Sequence, residues 1–145
     1  ELGSLEALIV PFAGPTGKTR SLMEQRPRIA LHNCHFNAAS TAELALALFL
    51  AATKRVGEID AQFRDEIRQG VPWTAGWQSP ATVCPTLRGR SAVVLGHGAV
   101  GSRIAAVLQA LSMDVHVVRR RAELGDGGIA THTPAELPEL LPKAF

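Results

Sequence analysis

Gly96, Gly98 and Gly101 fall in the run Gly96-His97-Gly98-Ala99-Val100-Gly101, a complete G-x-G-x-x-G. Glycines at this spacing suit one task, the holding of a pyrophosphate against main chain. Gly96 permits a tight turn that a side chain would oppose. Gly98 lets the backbone approach the anion, and Gly101 lets the following helix lie close to the preceding strand. That helix offers its first N–H groups and the positive end of its dipole to the phosphates. The candidate cofactor-binding turn is therefore Gly96, His97, Gly98, Ala99, Val100 and Gly101.

The triplet alone also fits an ordinary turn, so its flanks decide the reading. Ser91–Leu95 (Ser-Ala-Val-Val-Leu) is a short, β-branched apolar run with the character of a buried parallel strand. Ser102–Leu111 carries Ile104, Val107, Leu108 and Leu111 at helical spacing, and Val115–Val118 is a second strand. Strand, glycine turn, helix and strand arrive in the order that a dinucleotide-binding βαβ unit requires.

A chain of 145 residues with 46% hydrophobic and 19% charged content has the composition of a globular domain. A formal charge of +2 and the lack of a lysine-rich run give no footing for nucleic acid. The longest apolar stretch, Leu44–Ala52, is too short to span a bilayer, which needs ~20 residues. No basic, apolar leader opens the sequence. Two cysteines, Cys34 and Cys84, suggest no disulfide framework, so the expected compartment is a reducing cytoplasm.

Taken in order, Leu5–Phe12 reads as a strand that enters a loop at Ala13-Gly14-Pro15, Thr19–Gln25 as a short helix and Arg28–His32 as a strand. Two strands and one helix cannot enclose a core alone, so these residues read as the tail of a larger α/β domain. Ser40 and Glu43 have capping-box spacing. A single helix is expected from Thr41 to about Gln69, burying Leu44, Leu48, Ala51, Ala52 and Val56. Pro72, Trp73, Gly76, Trp77, Pro80 and Pro85 make residues 70–90 irregular, and the tryptophans could anchor this arm to another subunit or to its own domain. Beyond Val118 come Arg119-Arg120-Arg121 and a glycine-rich loop. Thr133-Pro134-Ala135-Glu136 then opens a helix over Pro134–Leu141 that Pro138 shortens or strains, and a third strand is expected where the sequence stops.

Together these residues resemble the D-isomer-specific 2-hydroxyacid dehydrogenases. The matching features are Asn33, Thr41-Ala42-Glu43, Arg68-Gln69-Gly70 with Trp73, Leu87-Arg88-Gly89 and Gly96–Gly101, in family order over nearly the whole chain. The resemblance implies an α/β fold: a Rossmann-like dinucleotide-binding βαβ unit plus the C-terminal part of a flavodoxin-like substrate domain, joined by a long helix. Residues 1–40 would end the substrate domain, 41–86 would form the interdomain helix and arm, and 87–145 would begin the NAD(P)-binding domain. It further implies that Thr41 packs near the nicotinamide and that Ala13 and Gly14 offer main-chain N–H groups to a substrate carboxylate. The family's catalytic Arg, Glu and His fall beyond the position of Phe145, so this stretch by itself is expected to be inactive. A homodimer paired through the nucleotide domain is also implied.

An NAD site normally carries Asp or Glu ~20 residues past the glycines, on the ribose hydroxyls. Here Arg119, Arg120 and Arg121 lie 18, 19 and 20 residues beyond Gly101. Guanidinium groups grip a 2′-phosphate through forked, charge-assisted bonds, which favours NADP(H) over NAD(H). Glu123 could instead serve the ribose if its loop folds back. His32 and His35 read as solvated or structural, His97 as packing, and His116 and His132 as structural. Two function classes remain: a reductase or dehydrogenase acting on a 2-keto or 2-hydroxy acid, and a non-catalytic nucleotide-sensing module.

Overall fold

The computed structural model describes residues 4–12, 14–71, 84–120 and 128–145. Ala13, Trp73, Trp77, Arg121 and Glu123, singled out above, lie outside them. The chain divides into two compact units, Glu1–Ala38 and Ala39–Phe145.

In the first unit, β1 (Ala7–Val10) and β2 (Ala30–Asn33) pair in parallel, with Ala7 opposite Ala30 and Val10 opposite Asn33. Both are shorter than the sequence suggests. Helix α1 (Gly17–Glu24) crosses between them, and Thr16 caps it by accepting the Thr19 N–H at 3.2 Å.

The second unit takes in α2 (Ala38–Thr53) from its second residue onward, followed by α3 (Val56–Arg68). The single helix expected from Thr41 to Gln69 is thus two helices. Arg55 between them sits at φ 53°, ψ 34°, a left-handed conformation that ends one helix and starts the next. Its guanidinium holds Glu58 in the first turn of α3, and the Thr53 hydroxyl donates to the Phe49 carbonyl at 2.9 Å. Because α2 begins at Ala38, Ser40 and Glu43 lie within the helix and do not form the expected cap. The buried side is also different. Leu46, Phe49 and Leu50 pack on the core, whereas Leu44 and Leu48 are each 62% exposed and Val56 is 52% exposed. A helix that is apolar nearly all round carries no periodic signal to choose its face.

The core forms around a parallel sheet ordered β3-β4-β5. Strand β3 (Ser91–Leu95) matches its expected bounds, and β4 (Asp114–Val118) lies beside it in full register, Ser91 opposite Asp114 and Leu95 opposite Val118. Alternation puts Ala92, Val94, Val115 and Val117 inside, where they meet Ala105 and Leu108 of α4 (Gly101–Ala110). Val117 is 1% exposed. Helix α4 ends when Ser112 turns left-handed at φ 60°, and the Met113 N–H closes onto the Leu108 carbonyl at 3.1 Å.

The third strand comes earlier than expected. It is β5 (Ala130–His132), paired with β4 through His116–Ala130 and Val118–His132. The helix expected over Pro134–Leu141 is broken into a 3₁₀ turn (Pro134–Glu136), the one-turn α5 (Leu137–Leu140) and a second 3₁₀ turn (Leu141–Lys143). Pro138 and Pro142 each remove a donor from a continuous helix. Ala144 then forms a parallel bridge to Ser91, on the edge of β3 away from β4, and the Phe145 N–H donates to the Ser91 carbonyl at 2.9 Å. The chain thus returns from β5 to the far edge of β3, and ligands of open α/β sheets bind outside the C-terminal strand ends where the order turns back in this way.

Candidate functional site

Main-chain geometry at the glycine turn assigns each glycine a separate constraint. Gly96 takes φ +93°, in the region that side chains rarely enter. Gly101 is constrained by contact: a Cβ there would lie 1.9 Å from the Gly96 carbonyl oxygen. Gly98 has neither constraint, because a Cβ on it would meet nothing within 4 Å. Open space at the glycine expected to approach a ligand is what a phosphate cradle requires.

The turn leads into α4 with no side-chain hydrogen bond at its N-cap, Val100, and no acidic residue in its first turn. That end is electrostatically suited to an anion. Ser102 braces the turn, its N–H reaching the Gly98 carbonyl at 3.0 Å and its hydroxyl the same oxygen at 2.9 Å. Arg103 also reaches back to the Ala99 carbonyl.

One backbone bond joins this turn to the basic segment. The Gly96 N–H donates to the Val118 carbonyl at 2.8 Å, so the first glycine sits beside the end of β4 and the arginines that follow. Between them opens a cleft of about 900 Å³, lined by Leu95, Gly96, His97, Gly98, Val118, Arg119, Arg120, Pro134 and Leu137. Arg120 is exposed and Arg119 half-buried. No carboxylate is among the described lining residues.

The sequence-predicted residues divide on this geometry. Gly96, His97, Gly98, Arg119 and Arg120 meet at the cleft. Val100 and Gly101 line a second cavity of about 520 Å³, between α2, β3 and α4. Ala99 is half-buried in the turn. Thr41 is exposed in the first turn of α2 and is not among the residues lining the cleft. Gly14 belongs to the first unit, between β1 and α1. Pro134 and Leu137 form a wall that the sequence reading missed. The Thr-Pro-Ala-Glu helix start was visible, but its place beside the glycine turn depends on the unseen strand β5.

That corner is fixed by Glu136, whose carboxylate accepts the Thr133 N–H at 2.7 Å and contacts the Thr133 hydroxyl at 2.8 Å. The expected cap, with proline at the first position and Glu at the third, is present here. The Thr133 amide foremost, then His132 and the Thr133 hydroxyl, hold the Glu136 carboxyl down at about 2, from an ordinary 4.5. A depressed carboxyl stabilises the fold fully above its unfolded value and loses that contribution as pH falls through the folded one. Acid titration of stability should therefore show a component between pH 4.5 and 2 that Glu136→Gln removes, followed by chemical denaturation at each pH.

Among the described residues, no helix is long and apolar enough to cross a membrane, and no cluster of His, Cys, Asp and Glu could hold a metal ion.

Comparison with known proteins agrees with this architecture. A glyoxylate reductase from Aeropyrum pernix is 36% identical over 89 residues, which is 59% of this chain and 25% of that protein. The chain thus spans about a quarter of that relative's length. Among solved structures, an acyclic imino acid reductase in complex with NADPH and D-Arg superimposes with a TM-score of 0.72 at 22% identity, covering 97% of this chain and 42% of that one. D-lactate dehydrogenase from Aquifex aeolicus, complexed with NAD and lactic acid, gives a TM-score of 0.68 at 19% identity, covering 98% and 40%. At these identities the two structures establish the fold. Residues 46–144 match the NAD-binding domain of the D-isomer specific 2-hydroxyacid dehydrogenases, and the chain belongs to that family.

Proposed function

We propose that this chain supplies the pyrophosphate and adenosine-ribose half of the cofactor site in an oxidoreductase that interconverts 2-keto and 2-hydroxy acids, with NADP(H) preferred over NAD(H). The observation that carries the reading is the cleft itself, which sets the Gly96–Gly98 turn against Arg119 and Arg120. Gly98 would admit the pyrophosphate, and the first turn of α4 would face it with N–H groups. Arg119 and Arg120 would take the 2′-phosphate, where a carboxylate would repel it; Arg121 belongs to the same basic run. The apolar wall of Pro134 and Leu137 suits the flat face of an adenine.

When bound, the dinucleotide supplies the hydride chemistry; the protein contributes binding, orientation and charge. The domain reading belongs to the same proposal: residues 1–40 as the end of the substrate domain, 41–86 as a connecting arm, and 87–145 as the start of the nucleotide domain. So do Thr41 beside the nicotinamide and Ala13 and Gly14 as main-chain donors to a substrate carboxylate. Pairing of two copies through the nucleotide domain is part of it too.

Parallel titrations of the chain with NADPH and NADH, read by tryptophan fluorescence, test the reading. NADPH is expected to bind more tightly. Replacing Arg119 and Arg120 with alanine should weaken NADPH by about 10- to 100-fold, the worth of one or two charge-assisted hydrogen bonds, and leave NADH nearly unchanged. Equal losses for both cofactors would remove the 2′-phosphate assignment, and tighter NADH binding by the unmodified chain would reverse the preference.

A further inference from the structure

Behind the cleft wall, His116 of β4 and His132 at the end of β5 lie on one face of the sheet as diagonal neighbours. His116 Nδ1 is 3.0 Å from His132 Nε2, with the ring centroids 5.1 Å apart. Each outer nitrogen meets a carboxylate: His116 Nε2 lies 3.0 Å from Asp114 Oδ2, and His132 Nδ1 lies 2.9 Å from Glu136 Oε1. The result is an unbroken line of carboxylate, imidazole, imidazole and carboxylate.

Counting hydrogens along this line decides its charge. An ionised carboxylate can only accept, so both outer ring nitrogens must carry hydrogen. A neutral imidazole has one N–H, and each ring has now used it. Two lone pairs would then face one another across 3.0 Å. Glu136 does not provide the missing hydrogen: the Thr133 amide and hydroxyl donate to its Oε2 and, with His132 at Oε1, hold its carboxyl down at about 2.

We propose that His116 and His132 hold one additional proton between them, forming a single shared imidazolium clasped by Asp114 and Glu136. Among the described residues, the charged groups hydrogen-bonded to the pair are Asp114 from β4 itself and Glu136 from the turn after β5. In the adjoining strands, the register places Ser91, Val93 and Ala130 alongside, none of them ionisable. The clasp ties β4 to β5 and to the corner that carries Pro134. It also adjoins the bond from the Arg119 N–H to the His132 carbonyl, 2.9 Å, so it sets the wall of the cleft from behind. Loss of the proton puts the two lone pairs in opposition and loosens that wall.

The test is long-range ¹H–¹⁵N NMR on the chain with ¹⁵N-labelled histidine, from pH 5 to pH 9, with no cofactor added. The expected result is one coupled step that releases a single proton. Only His116 Nδ1 and His132 Nε2 should change character, while both outer nitrogens stay protonated throughout. Independent release of one proton from each ring, or loss of hydrogen from an outer nitrogen first, would overturn the proposal. A second reading comes from urea denaturation of the same chain. The proposal requires the native pair to keep a proton that the unfolded chain releases, so stability should be present on the acid side of the step and fall as pH rises through it. The folding constant should change by no more than about tenfold per pH unit, as one proton dictates. In His132→Gln the alkaline slope should vanish; its persistence there would place the effect elsewhere.

Discussion

Gly101→Ala is expected to destabilise the second unit by about 3 kcal/mol, lowering the melting midpoint by roughly 15 °C. The added Cβ would lie 1.9 Å from the Gly96 carbonyl oxygen and 3.0 Å from its carbon, with Val94 Cγ1 at 3.5 Å. Two of these three neighbours are backbone, so no rotamer change relieves the clash. Helix α4 would have to lift from β3 and draw Ala105 and Leu108 out of the core. Thermal unfolding followed by circular dichroism measures the effect. An unchanged midpoint would mean that the close approach of helix and strand is not required.

Gly98→Val should do the opposite. The position is exposed, its φ is not in the left-handed region, and a Cβ there meets nothing within 4 Å. The fold should tolerate the branched side chain within about 0.5 kcal/mol, as surface positions generally do. Nucleotide affinity, measured by NADPH titration, should fall at least a hundredfold, or about 2.7 kcal/mol, because the methyl groups fill the space proposed for the pyrophosphate. Retained binding would remove that assignment. The two variants, three residues apart, thus separate what the glycines do for the fold from what they do for a ligand.

That separation was partly legible in the sequence. The strand at Ser91–Leu95 was readable because its signal is local: an unbroken apolar run that ends in glycine. The glycine spacing marked the turn at the mouth of the cleft for the same reason. Arg55 shows where local reading fails. Arginine favours a helix, so nothing in its type announces a left-handed joint between α2 and α3. Strand β5, with only Ala130–His132, is too short to show alternation and is held by pairing with β4. Missing it hid the cleft wall and left His132 outside any expected strand. For α2, composition indicated burial but could not choose between the face of Leu44 and Leu48 and that of Leu46, Phe49 and Leu50. Tertiary packing decides such cases, and one sequence does not contain that information in local form.

Strand β3 is bordered on both edges, by β4 along its length and by Ala144 at Ser91. Its last residue feeds directly into Gly96, whose N–H is itself fastened to Val118. The loop proposed to hold the anion is therefore ordered by the sheet before any ligand arrives. Restricting its backbone is a cost met during folding, and little of it is left to subtract from affinity. The exposed guanidinium of Arg120 has no such advantage, since it must give up rotamer freedom on contact. The glycine end of the cleft should consequently behave as a rigid template and the arginine end as an adaptable one, so ligands that differ only at the ribose would be distinguished mainly by how long they stay bound.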